Sequence, residues 1–431
     1  MKTNLRNCRL ADHSIVDIGI VNGQIKSIGS VTDAERETDI GGKLVIPGVI
    51  DAHVHFREPG AAYKEDWLSG SHAAVAGGVT TVIDMPNNTP SIINQQTLNQ
   101  KRELAEKSVV NYGFYLGATK DNLAAIQEAT NIAGVKIYMG SSTGNLLVAE
   151  DEEIEALLEF PNIQWVVHAE DEEVITNNKI TYAQETNPAV HSKVREREAA
   201  TAAVERLIAI VKKTGAKVHI CHISTLEEIK LIKKAKTAGL PITCEVSPHH
   251  LFLNTIAYEK RGNFVKVNPP LRTEKDNEAL WKAVQSGVID IIATDHAPHT
   301  IDEKSREYKQ APAGIPEVQT SLPLMLNAMN KGLITIQQLI ARMANAPATL
   351  YAIEKRGFIK KGFYADLTVI DTDAIKIVSK KDVKSKCEWS PYEGWELRGW
   401  PIMTFVNGNL VYNKGVIHNE FQGKEITYGT V

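Results

Sequence analysis

The sequence predicts an α/β protein in which a (β/α)8 barrel is combined with a small composite β-sandwich domain from the two chain ends. Eight apolar, strand-like runs alternate with helical patterns between residues 44 and 294, and both ends of the chain carry short strands joined by Asn-Gly turns. An open doubly wound sheet is the alternative. It is disfavoured because no run is followed by a Gly-x-Gly-x-x-Gly turn and no Gly-Lys-Ser/Thr phosphate loop occurs.

The two chain ends show the same hairpin signal, an Asn-Gly dipeptide between two short strand-like runs. The runs are residues 14–21 and 24–28 around Asn22-Gly23, and residues 403–406 and 409–412 around Asn407-Gly408. A further strand is expected at residues 365–370. We therefore predict one β-domain built from residues 1–46 and 353–431, and a barrel domain at residues 47–352.

The eight barrel runs are short and apolar, as expected for parallel strands that are buried on both faces. They span residues 44–55, 80–85, 112–117, 135–139, 165–168, 218–222, 242–246 and 288–294. Several intervening segments repeat apolar residues with a helical period, for example residues 199–211 and 226–236. Eight such units in succession favour the barrel.

The composition excludes several classes of function. The 48 basic and 52 acidic residues give a formal charge of −4 without a long run of one sign, so neither a nucleic-acid footprint nor a membrane-surface patch is indicated. The four cysteines are scattered, no run of eighteen apolar residues occurs, and the first residues lack an apolar signal core. We expect a cytoplasmic protein with no nucleic-acid or membrane partner.

Residues that suit a metal site recur at the ends of the predicted barrel strands, where the active residues of such barrels lie. At the ends of runs they are His53, His55, His168, His222 and Asp295, and Lys136 lies within the fourth run. Random placement rarely puts this many such residues at equivalent positions. The set therefore predicts a metal centre at the carboxyl end of the barrel.

His53 and His55 end the first barrel run and, being two residues apart, share one strand face. Taken alone, such a pair is either a pair of metal ligands or a structural pair. Arg57 follows two residues after His55, so it is expected on the same side, just beyond the strand. A guanidinium there can hold a carboxylate in two parallel hydrogen bonds. Metal site and anion clamp are thus expected in one pocket.

Lys136 is the unusual member, because an ammonium group does not bind cations. One interpretation is a salt bridge or a side chain that carries its charge to the surface. The other is chemical modification: a neutral buried amine can add CO₂ and become a carbamate whose two oxygens bridge two metal ions.

These motifs together resemble those of the cyclic amidohydrolases and, among them, the dihydroorotases. The motifs are Asp51-Ala-His53-Val-His55-Phe-Arg57-Glu-Pro-Gly60, Gly-Val-Lys136-Ile-Tyr, Val-His168-Ala-Glu, His-Ile-Cys-His222-Ile-Ser and Ala-Thr-Asp295-His-Ala-Pro-His299. They follow the order of the family, and the resemblance spans nearly the whole chain. The lysine is similar to that of the carbamate-bearing type, which also includes hydantoinases and allantoinases.

The resemblance implies two Zn²⁺ ions per chain, bridged by N6-carboxylated Lys136 and a hydroxide. It assigns His53, His55 and Asp295 to the more buried ion and His168 and His222 to the more exposed one. It also makes Asp295 the catalytic residue, first as general base and then as general acid. A homodimer is implied as well.

Five substrate-binding residues follow from the same resemblance: Arg57, Asn87, Asn268, His299 and Gly314. Arg57 stands where dihydroorotases carry an arginine for the substrate carboxylate, which hydantoinase-like and allantoinase-like motifs usually lack. His299 is the second carboxylate contact. Asn87, which without the family could equally be a turn residue, and Asn268 contact the substrate, and Gly314 lines the ring-binding wall.

The implied activity is the reversible, zinc-dependent cyclisation of N-carbamoyl-L-aspartate to L-dihydroorotate in pyrimidine (UMP) biosynthesis. One alternative is a related cyclic amidohydrolase, namely a hydantoinase, dihydropyrimidinase or allantoinase, against which the four polar substrate-side residues argue. The other is a non-catalytic dihydroorotase-like scaffold. Such chains typically lose metal ligands, whereas this sequence keeps all six.

Other polar residues near the motifs are expected to have supporting roles. Structural roles are expected for His72, His191, His219, His296 and His418. Residues that could orient a ligand from behind are His249 or His250, and Glu170 or Asp171. The charged residues 300–313 are expected to form a lid over the pocket.

Overall fold

The computed structural model of the chain describes residues 2–140, 145–160 and 162–429. The strands before the barrel are β1 (Lys2–Arg9), β2 (Ile15–Val21), β3 (Gln24–Gly29), β4 (Arg36–Asp39) and β5 (Leu44–Pro47). The barrel strands are β6 (Val49–Val54), β7 (Val79–Asp84), β8 (Asn111–Gly117), β9 (Gly134–Tyr138), β10 (Trp165–His168), β11 (Val218–Ile220), β12 (Ile242–Val246) and β13 (Ile291–Ile292). The strands after it are β14 (Leu367–Ile377), β15 (Glu396–Val406), β16 (Asn409–Asn413) and β17 (Val416–Ile417).

The helices connect the barrel strands and pack around them. They are α1 (Trp67–Ala76), α2 (Gln95–Ala105), α3 (Leu123–Glu128), α4 (Asp151–Leu158), α5 (Glu172–Thr181), α6 (His191–Val194), α7 (Arg197–Thr214), α8 (Leu226–Thr237), α9 (Pro248–Phe252), α10 (Ala257–Arg261), α11 (Glu274–Ser286), α12 (Ile301–Lys304), α13 (Ser321–Asn330), α14 (Ile336–Ile340) and α15 (Ala346–Leu350). Short 3₁₀ turns span Pro188–Val190, Gly262–Val265 and Lys380–Asp382, and a π turn spans Ala341–Asn345.

The barrel consists of parallel strands that pair in chain order from β6 to β13. The two ends of this sheet meet through a bridge between Val54 and His296, where the backbone N–H of His55 donates to the carbonyl of His296 at 2.8 Å. The large apolar core lies between the strands and the surrounding helices, as expected for parallel strands buried on both faces. The predicted (β/α)8 barrel is confirmed.

The first predicted run, residues 44–55, is two strands rather than one. Its first part, β5, pairs with β14 and belongs to the terminal sheet, whereas β6 pairs with β7 in the barrel. The chain crosses between the two units at Gly48, where a Cβ atom would lie only 2.2 Å from Oγ1 of Thr80. A glycine is needed for this close approach. Because residues 44–50 read as one continuous apolar run, the sequence did not predict the break at Gly48.

The terminal strands form one mixed sheet in the order β17-β16-β15-β14-β5-β1-β2-β3, with β4 paired to β1. Both predicted hairpins are present, and Asn22, Gly23, Asn407 and Gly408 have positive φ angles of 50°, 82°, 49° and 78°. The two turns touch, because a Cβ atom on Gly23 would lie 2.6 Å from the carbonyl oxygen of Asn407. The composite β-domain is confirmed, and its boundaries at residues 46 and 352 remain a proposal.

Among the residues that the structure describes, no helix has the length and apolar character that crossing a bilayer requires.

Candidate active site

A cavity of about 340 Å³ lies at the carboxyl ends of the barrel strands. Its lining includes every residue that the sequence predicts for the site: His53, His55, Arg57, Asn87, Lys136, His168, His222, Asn268, Asp295, His299 and Gly314. Because all barrel strands point the same way, their carboxyl ends bring distant parts of the chain to this one edge.

Asp295 lies against the two histidines of the first barrel strand. Its Oδ1 atom is 3.2 Å from Nε2 of His53 and 2.9 Å from Nε2 of His55. Burial raises the pKa of Asp295, but the two histidines outweigh that effect and hold the pKa well below its usual range. The cluster therefore presents a carboxylate and two imidazole nitrogens to one point.

His168 and His222 form a second pair at the ends of neighbouring strands. Nδ1 of His168 lies 3.1 Å from Nε2 of His222. Nε2 of His168 lies 2.9 Å from Oε2 of Glu170, which leaves Nδ1 to face the cavity side. Burial lowers the pKa of both rings, so both are neutral imidazoles with a lone pair to offer.

Two of these residues adopt a left-handed backbone conformation that side chains other than glycine rarely adopt. The φ angle is 32° at His222 and 51° at Asp295. Each follows shortly after its strand, since β11 ends at Ile220 and β13 at Ile292. Such residues cost on the order of 1 to 3 kcal/mol and cluster at functional sites, where the surrounding structure fixes them.

Lys136 is completely buried at the centre of the site. Its Nζ atom lies 2.7 Å from Sγ of Cys221 and 5.1 Å from the ring centroid of Tyr138. Of the carboxylates that the structure describes, none lies within 4 Å of this Nζ, so the salt bridge that the sequence left open is not seen. A buried ammonium group without a counter-charge is costly.

Arg57 and His299 converge at the edge of this cluster. Nη2 of Arg57 lies 3.2 Å from Nε2 of His299, and Nε of Arg57 donates to the carbonyl of Pro298 at 3.1 Å. Burial, with the nearby charge of Arg57, lowers the pKa of His299 to about 3, so its ring is neutral. A partly buried guanidinium beside an imidazole suits a carboxylate ligand.

The two asparagines each have their amide oxygen occupied by a histidine. Oδ1 of Asn87 lies 2.6 Å from Nδ1 of His55, and Oδ1 of Asn268 lies 2.9 Å from Nε2 of His191. Each amide group therefore keeps its NH₂ for a ligand. His191, expected to be structural, thus supports a residue of the cavity wall.

Gly314 occupies a position that only glycine fits. Its φ angle is 131°, and a Cβ atom there would lie 2.5 Å from the carbonyl oxygen of Ala297 and 3.1 Å from Cδ2 of His299. The buried Nζ of Lys304 donates to the carbonyls of Pro312 and Gly314, both at 2.9 Å. The close approach keeps this wall of the cavity against His299.

Comparison with known proteins places this geometry in a family. A model of the amidohydrolase family matches residues 44–411. The dihydroorotase of Methanosarcina mazei is 37% identical, over 92% of this chain and 90% of its own length, and that of Halobacterium salinarum is 37% identical, over 98% and 99%. The dihydroorotase of Pyrococcus furiosus is 38% identical, over 95% and 92%.

The chain belongs to the dihydroorotase family. Accordingly it is a hydrolase that acts on cyclic amides. Its fold is similar to that of L-hydantoinase (dihydropyrimidinase) from Arthrobacter aurescens, with a TM-score of 0.94 and 29% identity over 99% of both chains. Dihydropyrimidinase from Brevibacillus agri, with a TM-score of 0.93 and 24% identity over 100% of this chain and 99% of its own, shares the fold.

In this dihydroorotase-family chain the donor atoms fit a metal ion. The ligand atoms of His53, His222 and Asp295 all lie within 4.8 Å of one another. Nitrogen and oxygen ligands about 2.0 to 2.2 Å from one zinc ion lie about 3 to 4 Å apart. Nδ1 of His222 is buried and has no hydrogen-bond partner among the described residues, so this ring also has a free polar atom at the site.

Sequence reasoning missed Glu245, the penultimate residue of strand β12. One carboxylate oxygen contacts Nδ1 of His53, and the other lies 3.1 Å from Nε2 of His219. Nδ1 of His219 lies 2.9 Å from Oγ1 of Thr243. A carboxylate on Nδ1 makes that nitrogen the donor and leaves Nε2 of His53 free toward Asp295. A charged residue inside an apolar strand was the available signal.

Other buried polar residues support the site from behind. Nε of Arg195 donates to both oxygens of Glu170 at 3.1 and 3.0 Å, which fixes the carboxylate that holds His168. Nδ1 of His249 lies 2.8 Å from Oε2 of Glu317, and Nε2 of His250 donates to the carbonyl of Pro269 at 3.0 Å. Neither of these two histidines lines the cavity.

Proposed function

We propose that this chain catalyses the reversible interconversion of N-carbamoyl-L-aspartate and L-dihydroorotate, the ring-closing step of pyrimidine biosynthesis. The observation that carries the proposal is the position of Arg57 and His299 beside the histidine and aspartate cluster in one cavity. The cyclic substrate bears a carboxylate close to its ring amide, and these groups supply a matching cation and N–H. Relatives named dihydroorotase, matched over nearly their whole length, support the assignment.

We also propose that the site holds two Zn²⁺ ions per chain. The ligands would be His53, His55 and Asp295 for one ion, His168 and His222 for the other, and Lys136, carboxylated on Nζ, for both. When bound, the ions polarise the ring carbonyl and make hydroxide available near neutral pH. Support for the carbamate comes from Lys136, which is buried beside these ligands without a described carboxylate within 4 Å.

Residues of the chain bind the substrate and transfer the protons. Arg57 and His299 hold the carboxylate and so fix the ring amide over the cluster. Asn87 and Asn268 direct their NH₂ groups at the polar atoms of the ring. Asp295 accepts the proton of the attacking water and delivers it to the departing ring nitrogen. In the direction of ring closure it takes a proton from the carbamoyl nitrogen and returns it to the leaving water.

The alternative is an uncharged cyclic amide such as a hydantoin, favoured by the likeness to L-hydantoinase. Such a substrate has no group that would neutralise the guanidinium of Arg57. Arg57 would then remain a partly buried cation facing the substrate without an anion, which is costly. For the same reason allantoin and dihydrouracil are expected to be poor substrates.

The assembly and the compartment are proposals that rest on the family resemblance. We propose a homodimer in the cytoplasm. Light scattering coupled to size-exclusion chromatography measures the mass in solution, and a mass near twice the 47.5 kDa of the chain is expected.

The experiment that tests the activity follows the loss of dihydroorotate absorbance with purified protein. We expect turnover that stops when a chelator removes the metal and returns when zinc is added. A protein that contains zinc but leaves dihydroorotate unchanged would contradict the proposal.

A further inference from the structure

Lys64 contacts His299 but does not itself line the larger cavity. Its Nζ atom donates to Nδ1 of His299 at 3.1 Å and pairs with Oε1 of Glu303 at 2.9 Å. The side chain is only 14% exposed, so this contact is largely screened from water. Tyr63 adds a hydrogen bond to the same carboxylate at 3.0 Å.

The hydrogen bonds around His299 allow one tautomer and disfavour the other. With the proton on Nε2, Nδ1 accepts from Lys64 at 3.1 Å and Nε2 donates to the carbonyl of Ala313 at 3.0 Å. With the proton on Nδ1, its acceptor would be Glu303 at 3.6 Å, which is too long for a hydrogen bond. The ammonium of Lys64 has only protons to offer, so it excludes a proton on Nδ1.

This tautomer leaves two donors face to face. Nε2 of His299 and Nη2 of Arg57 are 3.2 Å apart, and in this arrangement both carry a hydrogen. Although the carbonyl of Ala313 already accepts from Nε2 at 3.0 Å, Arg57 cannot donate to this protonated nitrogen, and a carboxylate placed beside the two groups can accept from Nη2 and share the hydrogen on Nε2. The alternative tautomer would let Arg57 donate to Nε2 of His299. The two side chains would then bond to each other, and no ligand would be needed between them.

We propose that Lys64 is a positioning residue that holds His299 in the Nε2-protonated form and thereby keeps the carboxylate clamp open for substrate. The proposal rests on the proposed function for the identity of the carboxylate. According to the proposal, Lys64 contributes to the affinity for the substrate although it lies outside the metal cluster.

A second cavity agrees with this role. It measures about 170 Å³, is lined by Lys64, and shares His55, Arg57, Asn87 and His299 with the larger cavity. Lys64 and Arg57 are cations at this junction, and their positive potential also attracts an anionic ligand.

The test compares Lys64→Met with Lys64→Arg and with a matched control. The control is Lys386→Met. Lys386 binds the same loop from outside, through Asp66 at 2.9 Å and the carbonyl of Ala62 at 2.8 Å, and its side chain is 43% exposed.

For Lys64→Met we expect the KM for dihydroorotate to rise about tenfold, the effect of losing one charge-assisted hydrogen bond. The kcat should change less than about threefold and the zinc content not at all. Lys64→Arg, which keeps a cationic donor, should restore most of the affinity.

The second readout is the tautomer of His299, seen by ¹⁵N NMR of histidine-labelled protein and assigned with His299→Gln. We expect a proton on Nε2 in the wild type and in Lys386→Met, and a shift toward Nδ1 in Lys64→Met. An unchanged tautomer and KM in Lys64→Met, or an equal rise of KM in Lys386→Met, would overturn the proposal. If the wild type does not turn over dihydroorotate, the proposed function fails, and the tautomer measurement still decides the role of Lys64.

Discussion

Nδ1 of His168 lies 3.1 Å from Nε2 of His222, although the two residues are 54 positions apart in the chain. Both rings are buried and neutral, so two nitrogen lone pairs can be directed at the same small volume. A cation can bind such lone pairs. The ligand atom of His222 also lies within 4.8 Å of those of His53 and Asp295, so the pair adjoins that candidate metal site.

Replacing His222 tests this metal position. We expect His222→Ala to lose about one of two bound zinc ions per chain and most of its activity, because it removes an imidazole ligand. Elemental analysis of the purified variant measures the loss. His418→Ala is the control, since His418 is partly exposed and pairs with Glu420. Full zinc content in His222→Ala would remove the residue from the ligand set.

Glu245 is expected to set the affinity for metal without touching it. We predict that Glu245→Gln weakens zinc binding about 10- to 100-fold, because the amide no longer fixes the donor on Nδ1 of His53. Competition with a chelator measures this affinity. Glu228→Gln is a matched control, since Glu228 is equally buried but caps helix α8 through the backbone N–H groups of Ser224 and Thr225. Equal zinc affinity in the two variants would contradict the role of Glu245.

Lys136 is expected to be essential as a carbamate. Lys136→Ala should lose metal and activity together, since the bridging group is removed. A short carboxylic acid added to this variant should restore part of both by occupying the space of the carbamate. Zinc content and turnover, measured with and without the acid, provide the test. A variant that keeps its zinc and its activity would show that Lys136 is not the bridge.

The fold itself has a predictable acid sensitivity at Asp276. This carboxylate accepts hydrogen bonds from the backbone of Leu226 and from Arg197, which outweigh its burial and lower its pKa to about 2. Because the folded pKa lies below the unfolded value of about 3.9, its stabilisation is present above pH 4 and is lost as the pH falls toward 2.

Asp276→Asn should therefore lower the free energy of unfolding by about 2 to 3 kcal/mol at pH 7 and lose less further stability between about pH 4 and 2 than the wild type. Urea unfolding at several pH values measures both quantities. Glu274→Gln, an exposed change in the same first turn, should stay within about 0.5 kcal/mol of the wild type. Identical pH profiles for Asp276→Asn and the wild type would contradict this account.

Much of the site could be predicted because a (β/α)8 barrel brings strand ends together. Once His53, His168 and His222 were assigned to strand ends, their meeting followed from the parallel order of the strands. The supporting residues could not be found in this way. Glu245 lies inside a strand, and Lys64 comes from a loop, so each meets its histidine only through the curvature of the barrel and the path of the loops.

In the fold, too, features determined by adjacent residues could be predicted, whereas features determined by distant residues could not. The Asn-Gly hairpins were predictable, because two residues determine the turn. The break of the first apolar run at Gly48 was not, since it arises from the close approach of Thr80 on the next barrel strand. Pairing partners, rather than local sequence, decide where β5 leaves the terminal sheet and β6 enters the barrel.

The central claim is that the site is built for a cyclic amide bearing a carboxylate. It is tested most directly by the ratio of kcat/KM for dihydroorotate to kcat/KM for dihydrouracil, measured for the wild type and Arg57→Met at equal zinc content. We predict a ratio well above one in the wild type and a fall of about 10- to 100-fold in Arg57→Met, since a desolvated charge-assisted pair is lost. A wild type that prefers dihydrouracil or hydantoin, or an Arg57→Met variant that loses both activities equally, would contradict the claim.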